Sequence, residues 1–243
     1  MASSSKTIRL GILVPSSNTA LEPLTQSIIS TIPNVTVHFS RFRVTQISLS
    51  SDALSQFDQS KLVDAAKLLA DADVDAIGWS GTSAGWLGFE ADEQLCAAIT
   101  AATGTPATTS VLALNKALKL FGVTRLGLVT PYLPDVQAKI VETYKSIGVD
   151  AAVERHLSRS DNVRIAEIDA KTLDPMVAEV VREGVQAVTT FCTNLSAAQH
   201  VERWEKEHGV PVFDTVTTVV WDMLRICGVD AKISAWGKLI SEV

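Results

Sequence analysis

Short apolar runs alternate with longer stretches of helical periodicity along the whole 243-residue chain. Runs 8–14, 35–42, 76–80, 125–130, 151–155 and 187–191 read as strands, most of them almost continuously apolar, as strands buried on both faces are. Residues 20–30, 60–70, 91–102, 111–120, 134–146, 174–182, 197–207 and 217–226 read as helices, with apolar positions recurring three and four apart. Strand–helix–strand alternation of this kind predicts an α/β architecture of parallel sheet covered on both sides by helices.

The second half of the pattern repeats the first. The segment from Arg9 to Pro15, Arg-Leu-Gly-Ile-Leu-Val-Pro, matches Arg-Leu-Gly-Leu-Val-Thr-Pro, which ends at Pro131. The stretch from Val74 through Gly81 and Thr82 matches the stretch from Val185 through Cys192 and Thr193. Gly104-Thr-Pro106 matches Gly209-Val-Pro211, and each leads to a helix closing on Phe-Gly-Val123 or Cys-Gly-Val229. Three matched segments in one order predict two similar doubly wound parallel-sheet lobes related by a pseudo-twofold axis. The first lobe is expected over 1–110 and the second over 111–243, with 215–243 free to pack back on the first. Ligands of open parallel sheets sit beyond the carboxyl ends of the strands. The loops 15–19, 81–85, 131–132 and 192–194 are therefore expected to meet in a cleft between the lobes, and to form the active site there.

Composition narrows the function. A hydrophobic share of 47% with 20% charged residues suits a globular core, and disorder is expected only in the tail Met1–Thr7 and the last few residues. The net charge of −6 and scattered basic residues argue against nucleic acid as a partner. No apolar run approaches the ~18 residues of a membrane span, and the Met-Ala-Ser-Ser-Ser-Lys start has no signal-peptide core. Three widely spaced cysteines, Cys96, Cys192 and Cys227, predict free thiols in a reducing cytoplasm. No CxxC, histidine cluster, GxGxxG or GxxxxGK[ST] occurs, so neither a metal nor a nucleotide cofactor is expected. The expected partner is a small carboxylic acid; a homo-oligomer is left open.

Cys192 is the leading candidate for chemistry. It ends a strand, and the following residues, Thr193 and Asn194, are expected to face it with helix-start N–H groups that tune its pKa for proton transfer. Cys96 and Cys227 read as ordinary small hydrophobes on helices. Gly81, Thr82 and Ser83 occupy the equivalent loop of the first lobe, either as a turn and helix cap or as a nest for a carboxylate or enediolate. Tyr132, just past a strand end, is either a boundary residue or an anion donor. Pro15, Ser16, Ser17 and Asn18 form the matching turn of the first lobe, with Ser16, Ser17 and Asn18 as caps or donors. Asn162, in a polar stretch, reads from composition as surface turn. Trp79 and Trp86 flank the first-lobe loop as core or pocket wall.

These loops together resemble the aspartate/glutamate racemase superfamily, in particular its maleate cis–trans isomerase and arylmalonate decarboxylase branch, over about residues 9–229. Val-Pro-Ser-Ser-Asn18-Thr resembles the opening motif of the isomerases, and Asn162 falls where they carry a substrate-binding asparagine. Gly81-Thr82-Ser83 and the Val-Trp-Asp-Met-Leu-Arg225 helix resemble the decarboxylases; Tyr132 and Cys192 resemble both. Racemases and maleate isomerases use two facing cysteines, and the repeat places Gly81 where the first would stand. The resemblance therefore implies a cofactor-free decarboxylase of malonate-type acids. Cys192 would be its proton donor, with Thr82, Ser83 and Tyr132 stabilising the enediolate and Pro15, Ser16, Asn18, Gly81, Thr193, Asn194 and Asn162 around the substrate. Thr193 departs from the glycine of those decarboxylases. A same-branch isomerase or racemase, and a non-catalytic dicarboxylate-binding protein, are the alternatives.

Overall fold

The computed structural model describes residues 6–230 and 232–242. Up to the second sheet the chain runs β1 (Ile8–Pro15), α1 (Leu21–Ile29), β2 (Val35–Phe42), α2 (Ser51–Leu54), α3 (Gln59–Ala70), β3 (Ala76–Trp79), α4 (Ala84–Leu87), α5 (Phe89–Thr103), β4 (Ala107–Thr109) and α6 (Ser110–Leu120). The second lobe follows as β5 (Arg125–Thr130), α7 (Pro134–Ser146), β6 (Asp150–His156), α8 (Asn162–Ile165), α9 (Ala170–Arg182), β7 (Ala187–Thr190), α10 (Val201–His208), β8 (Val212–Asp214), α11 (Thr215–Ile226) and α12 (Lys238–Glu242). Two four-stranded sheets result, β2-β1-β3-β4 and β6-β5-β7-β8, and every strand pairing in them is parallel.

The strands form where buried apolar runs leave no alternating face. In β1 the last six residues are buried, and β3 and β7 are buried throughout. Helix starts follow local chemistry: Asp58, Thr109, Asp169 and Asp214 each accept a main-chain N–H at the first turn of α3, α6, α9 and α11. The matched Gly-x-Pro segments have one cause in both lobes. Gly104 ends α5 and Gly209 ends α10, each at φ 73°, a left-handed conformation that glycine adopts without a Cβ penalty.

The structure departs from the sequence reading at short elements. β4 and β8, three residues each, carry too little pattern to be recognised, and α2, α4, α8 and α12 are single turns or little more. α9 begins four residues earlier than expected, because Asp169 caps it and Pro175 is tolerated inside. The helix expected over 197–207 begins only at Val201, after a 3₁₀ turn at Ala198–His200.

The tail expectation also changes. Residues 1–5 lie outside the described residues, but Lys6 pairs with Asp75. Near the other end, Leu239 and Ile240 of α12 are buried, and Val243 lies outside the described residues. Helix α11 packs against α6, α1 and β3 of the first lobe. Its Asp222 holds Lys116 at 2.6 Å and Thr108 at 2.5 Å. Among the described residues no helix is long and apolar enough to cross a membrane.

In each sheet the order reverses between the first strand and the third of its lobe, so the crevice opens at the carboxyl ends of β1 and β3 and of β5 and β7. Those four ends carry the loops of the site.

Candidate active site

One cleft lies between the lobes. It is lined by Pro15, Asn18, Gly81, Thr82, Ser83, Tyr132, Asn162, Cys192, Thr193 and Asn194, together with Val44, Ile47, Phe57, Trp79 and Trp86. Ten of the eleven residues that the resemblance places at the site thus meet at one place. Ser16 is the exception: its hydroxyl turns to Val44, donating to the carbonyl at 3.3 Å and accepting the N–H at 3.2 Å. The remaining space is about 20 Å³, enough for one water.

Cys192 is buried, with 3% of its surface exposed. The hydroxyl of Tyr132 hydrogen-bonds its sulfur, as do the N–H groups of Asn194 and Leu195. Burial pushes the thiol up to about 11; those hydrogen bonds oppose the rise, and the carboxylate of Asp214 adds to it. At neutral pH the sulfur therefore carries its proton. The N–H groups belong to a turn rather than to a helix start, contrary to the sequence expectation, since the next helical residues begin at Ala198. Cys96 and Cys227, pushed by burial to about 12 and about 11, lie outside the cavity.

Tyr132 sits 2% exposed at the end of β5, its hydroxyl 2.5 Å from that of Thr82. Burial, followed by the neighbouring Cys192, holds its pKa well above the usual phenol range. Ser83 makes no capping bond with its side chain; instead its oxygen accepts from the indole Nε1 of Trp79 at 3.4 Å. The main-chain N–H groups of Thr82, Ser83 and Thr193 find no backbone partner among the described residues. The indole N–H of Trp86 is buried and unpartnered as well. Free donors at the ends of strands in both lobes make this a place for negative charge.

The asparagines have a different role. Asn18 accepts the N–H groups of Ala20 and Leu21 at 3.0 Å each and donates to the Thr193 hydroxyl at 3.2 Å. Asn194 accepts from Thr19 and Ala20 and donates to the carbonyl of Asn162. Asn162, read from composition as surface, is 3% exposed and donates to Ser17 at 2.9 Å. It is buried because the loops after β2 and β6 pair across the lobes, Gln46 with Asp161 and Ile47 with Ser160. These side chains join the lobes and shape the cavity, leaving Thr82, Ser83, Tyr132, Cys192 and the free N–H groups to face a ligand.

The sequence reading missed Val44, Ile47 and Phe57. They lie in the polar stretch after β2, where isolated apolar residues have no period to mark them; only the cross-lobe pairing shows that they form an apolar wall.

The opposite loop differs in one respect. A Cβ on Gly81 would stand 2.0 Å from Cζ2 of Trp79, far inside contact distance. Gly81 does not adopt a positive φ. The residue is glycine for lack of room rather than for backbone conformation.

The chain is similar in sequence and fold to maleate isomerases and an arylmalonate decarboxylase. The maleate isomerase of Pseudomonas putida KT2440 is 27% identical, with 96% of this chain and 97% of that protein covered. The arylmalonate decarboxylase of Bordetella bronchiseptica is 26% identical over 74% of this chain and 77% of its own. The crystal structure of the maleate isomerase Iso from Pseudomonas putida S16 superposes with a TM-score of 0.88 at 25% identity, covering 98% and 99% of the two chains. The sequence pattern of the arylmalonate decarboxylase family matches residues 10–240, and the chain belongs to that family, within the branch of the aspartate/glutamate racemase superfamily that also holds the maleate isomerases.

Proposed function

We propose that this protein is a cofactor-independent decarboxylase of small substituted malonates. The observation that carries this reading is the one-sided cavity: a single buried thiol at Cys192, and on the first-lobe side a glycine with no room for a second. Two-base racemisation needs an acceptor and a donor on opposite faces. Nucleophilic isomerisation needs a thiolate. A neutral buried thiol suits neither; it suits a step that ends in proton donation.

In this reading one carboxylate of the substrate rests on Thr82, Ser83, Tyr132 and the free N–H groups. The other faces the apolar wall of Val44, Ile47 and Phe57, where it is poorly solvated. The bond from the α-carbon to that carboxylate breaks, CO2 leaves, and the electron pair passes into the retained carboxylate as an enediolate. The donors strengthen as charge collects on the enediolate oxygens, each worth about 10²–10³ in rate. Cys192 then gives its proton to the α-carbon, and the thiolate takes a proton back from water.

The isomerase reading has support in the Val-Pro-Ser-Ser-Asn18-Thr turn and in the maleate isomerases among the relatives. Incubation with methylmalonate, phenylmalonate and maleate in D2O separates the two. Release of CO2 with one deuterium at the α-carbon is the expected result. Conversion of maleate to fumarate without decarboxylation of any malonate would overturn the proposal in favour of the isomerase.

A further inference from the structure

We propose that Trp79 is a specificity-determining residue, its indole forming the fixed first-lobe wall of the cavity and limiting the size of the substituent that the substrate carries there. The inference rests on the cavity being the acid-binding site.

Trp79 ends β3 and is 1% exposed. Its six-membered ring lies over Gly81: a Cβ there would meet Cζ2, Cε2 and Cη2 at 2.0, 2.4 and 2.5 Å. The ring thus takes the volume that a side chain at 81 would fill. It is held on two sides, by Phe42 at a centroid distance of 5.1 Å and by the Nε1–H donation to Ser83. A ring so fixed is a wall rather than a gate.

The second lobe shows what the same position does without the ring. There the register equivalent of Trp79 is Thr190, paired with Asp214 as Trp79 is with Thr109. Thr190 is far smaller than an indole, and its hydroxyl donates to Asp214 at 2.6 Å. One lobe therefore projects a thiol into the cavity, and the other fills the matching space with an aromatic ring. With only about 20 Å³ left between the walls, the indole decides how large a group fits beside it. The contact also runs through Ser83, so the size limit and the anion donor are set by one side chain.

The test uses acids that undergo no reaction, so it reads binding whether or not decarboxylation is the natural activity. Alkylation of Cys192 by iodoacetamide is followed by mass spectrometry of its peptide, with propionate or 2-phenylpropionate as protectant. Native protein is expected to be protected by propionate at lower concentration. Trp79→Leu should shift the ratio of protecting concentrations towards 2-phenylpropionate by at least ~10-fold, the scale on which a pocket discriminates substituent size. Trp79→Phe, which keeps an aromatic core and suffices if the leucine variant does not fold, should give a smaller shift in the same direction. Gly81→Ala should lower the melting temperature in the native background and leave it unchanged in either Trp79 variant. An unchanged ratio in a folded Trp79 variant, with protection still observed, would overturn the role of Trp79 alone. Absence of protection by either acid in every protein would overturn the acid-site reading, and the inference with it.

Discussion

The loops after β3 and β7 are the same piece of architecture used in two ways. Both follow the third strand of a four-stranded parallel sheet, and both reach the same cavity. After β7 the chain presents Cys192, with the strand end anchored by Thr190 on Asp214. After β3 it presents Gly81 beneath the ring of Trp79, with Thr109 where Asp214 would be. Duplication supplies two equivalent positions, and side chains of opposite character put a thiol at one and an aromatic ring at the other; in the function proposed above, the first is the proton donor and the second a wall. The difference lies in three pairs of equivalent residues, and in a backbone that enters a helix at Ala84 after β3 but only a turn after β7.

The largest effect should come from emptying the active loop. Cys192→Ala is expected to lower kcat on the preferred malonate by at least ~10³, since proton delivery and positioning disappear together. Cys96→Ala and Cys227→Ala should retain most activity, because neither thiol reaches the cavity. Equal losses in all three would erase the distinction between the loops.

A smaller effect sharpens how the lobes cooperate. Tyr132, from the second lobe, bridges Thr82 of the first and the sulfur of Cys192. Tyr132→Phe should reduce kcat by ~10² with KM little changed, as expected for a donor acting on late charge. A rise in KM at unchanged kcat would show that the hydroxyl only holds the ground state.

A third effect, on stability rather than on rate, concerns two buried carboxyls: Asp92 on α5, beside the end of β4, and Asp214 at the end of β8. Asp92 hydrogen-bonds Thr109 and is raised by burial from 3.8 to about 7; Asp214 is raised by burial to about 6, against hydrogen bonds from Thr190 and the N–H groups of Val216 and Thr217. A raised carboxyl keeps its proton longer in the folded state than in the unfolded one. Its stabilising contribution is complete below pH 3.8 and is lost as pH climbs through the folded value. For Asp92 the window is about 3 pH units at about 1.4 kcal/mol each. Asp92→Asn should therefore flatten the fall in urea-unfolding free energy between pH 4 and 7. Asp214→Asn should do so over the narrower window to about 6. It should also lower the pH midpoint of Cys192 alkylation, since the Asp214 charge helps hold that thiol up. An unchanged stability slope in Asp92→Asn would mean that Asp92 is ionised in the folded protein throughout.

What the sequence determined by itself is everything that rests on local pattern. Apolar periodicity marks the long strands and helices, and the repeat marks two lobes and the strand ends that face each other. Those signals come from neighbours along the chain, which is why Val35–Phe42, Arg125–Thr130 and Pro134–Ser146 were legible to the residue. So were ten of the fifteen residues that line the cavity, because strand ends of parallel sheets gather ligands wherever the strands occur. Tertiary structure alone decided the rest. Ser16 turned to Val44, Asn162 was buried by a cross-lobe pairing, and Val44, Ile47 and Phe57 became a wall through contacts distant in sequence. The protonation of Cys192 depends on burial, a property of the packed surroundings rather than of the residue. The emptiness at Gly81 depends on the direction of one indole ring, which strand pairing and the packing of Phe42 set and no period in the sequence records.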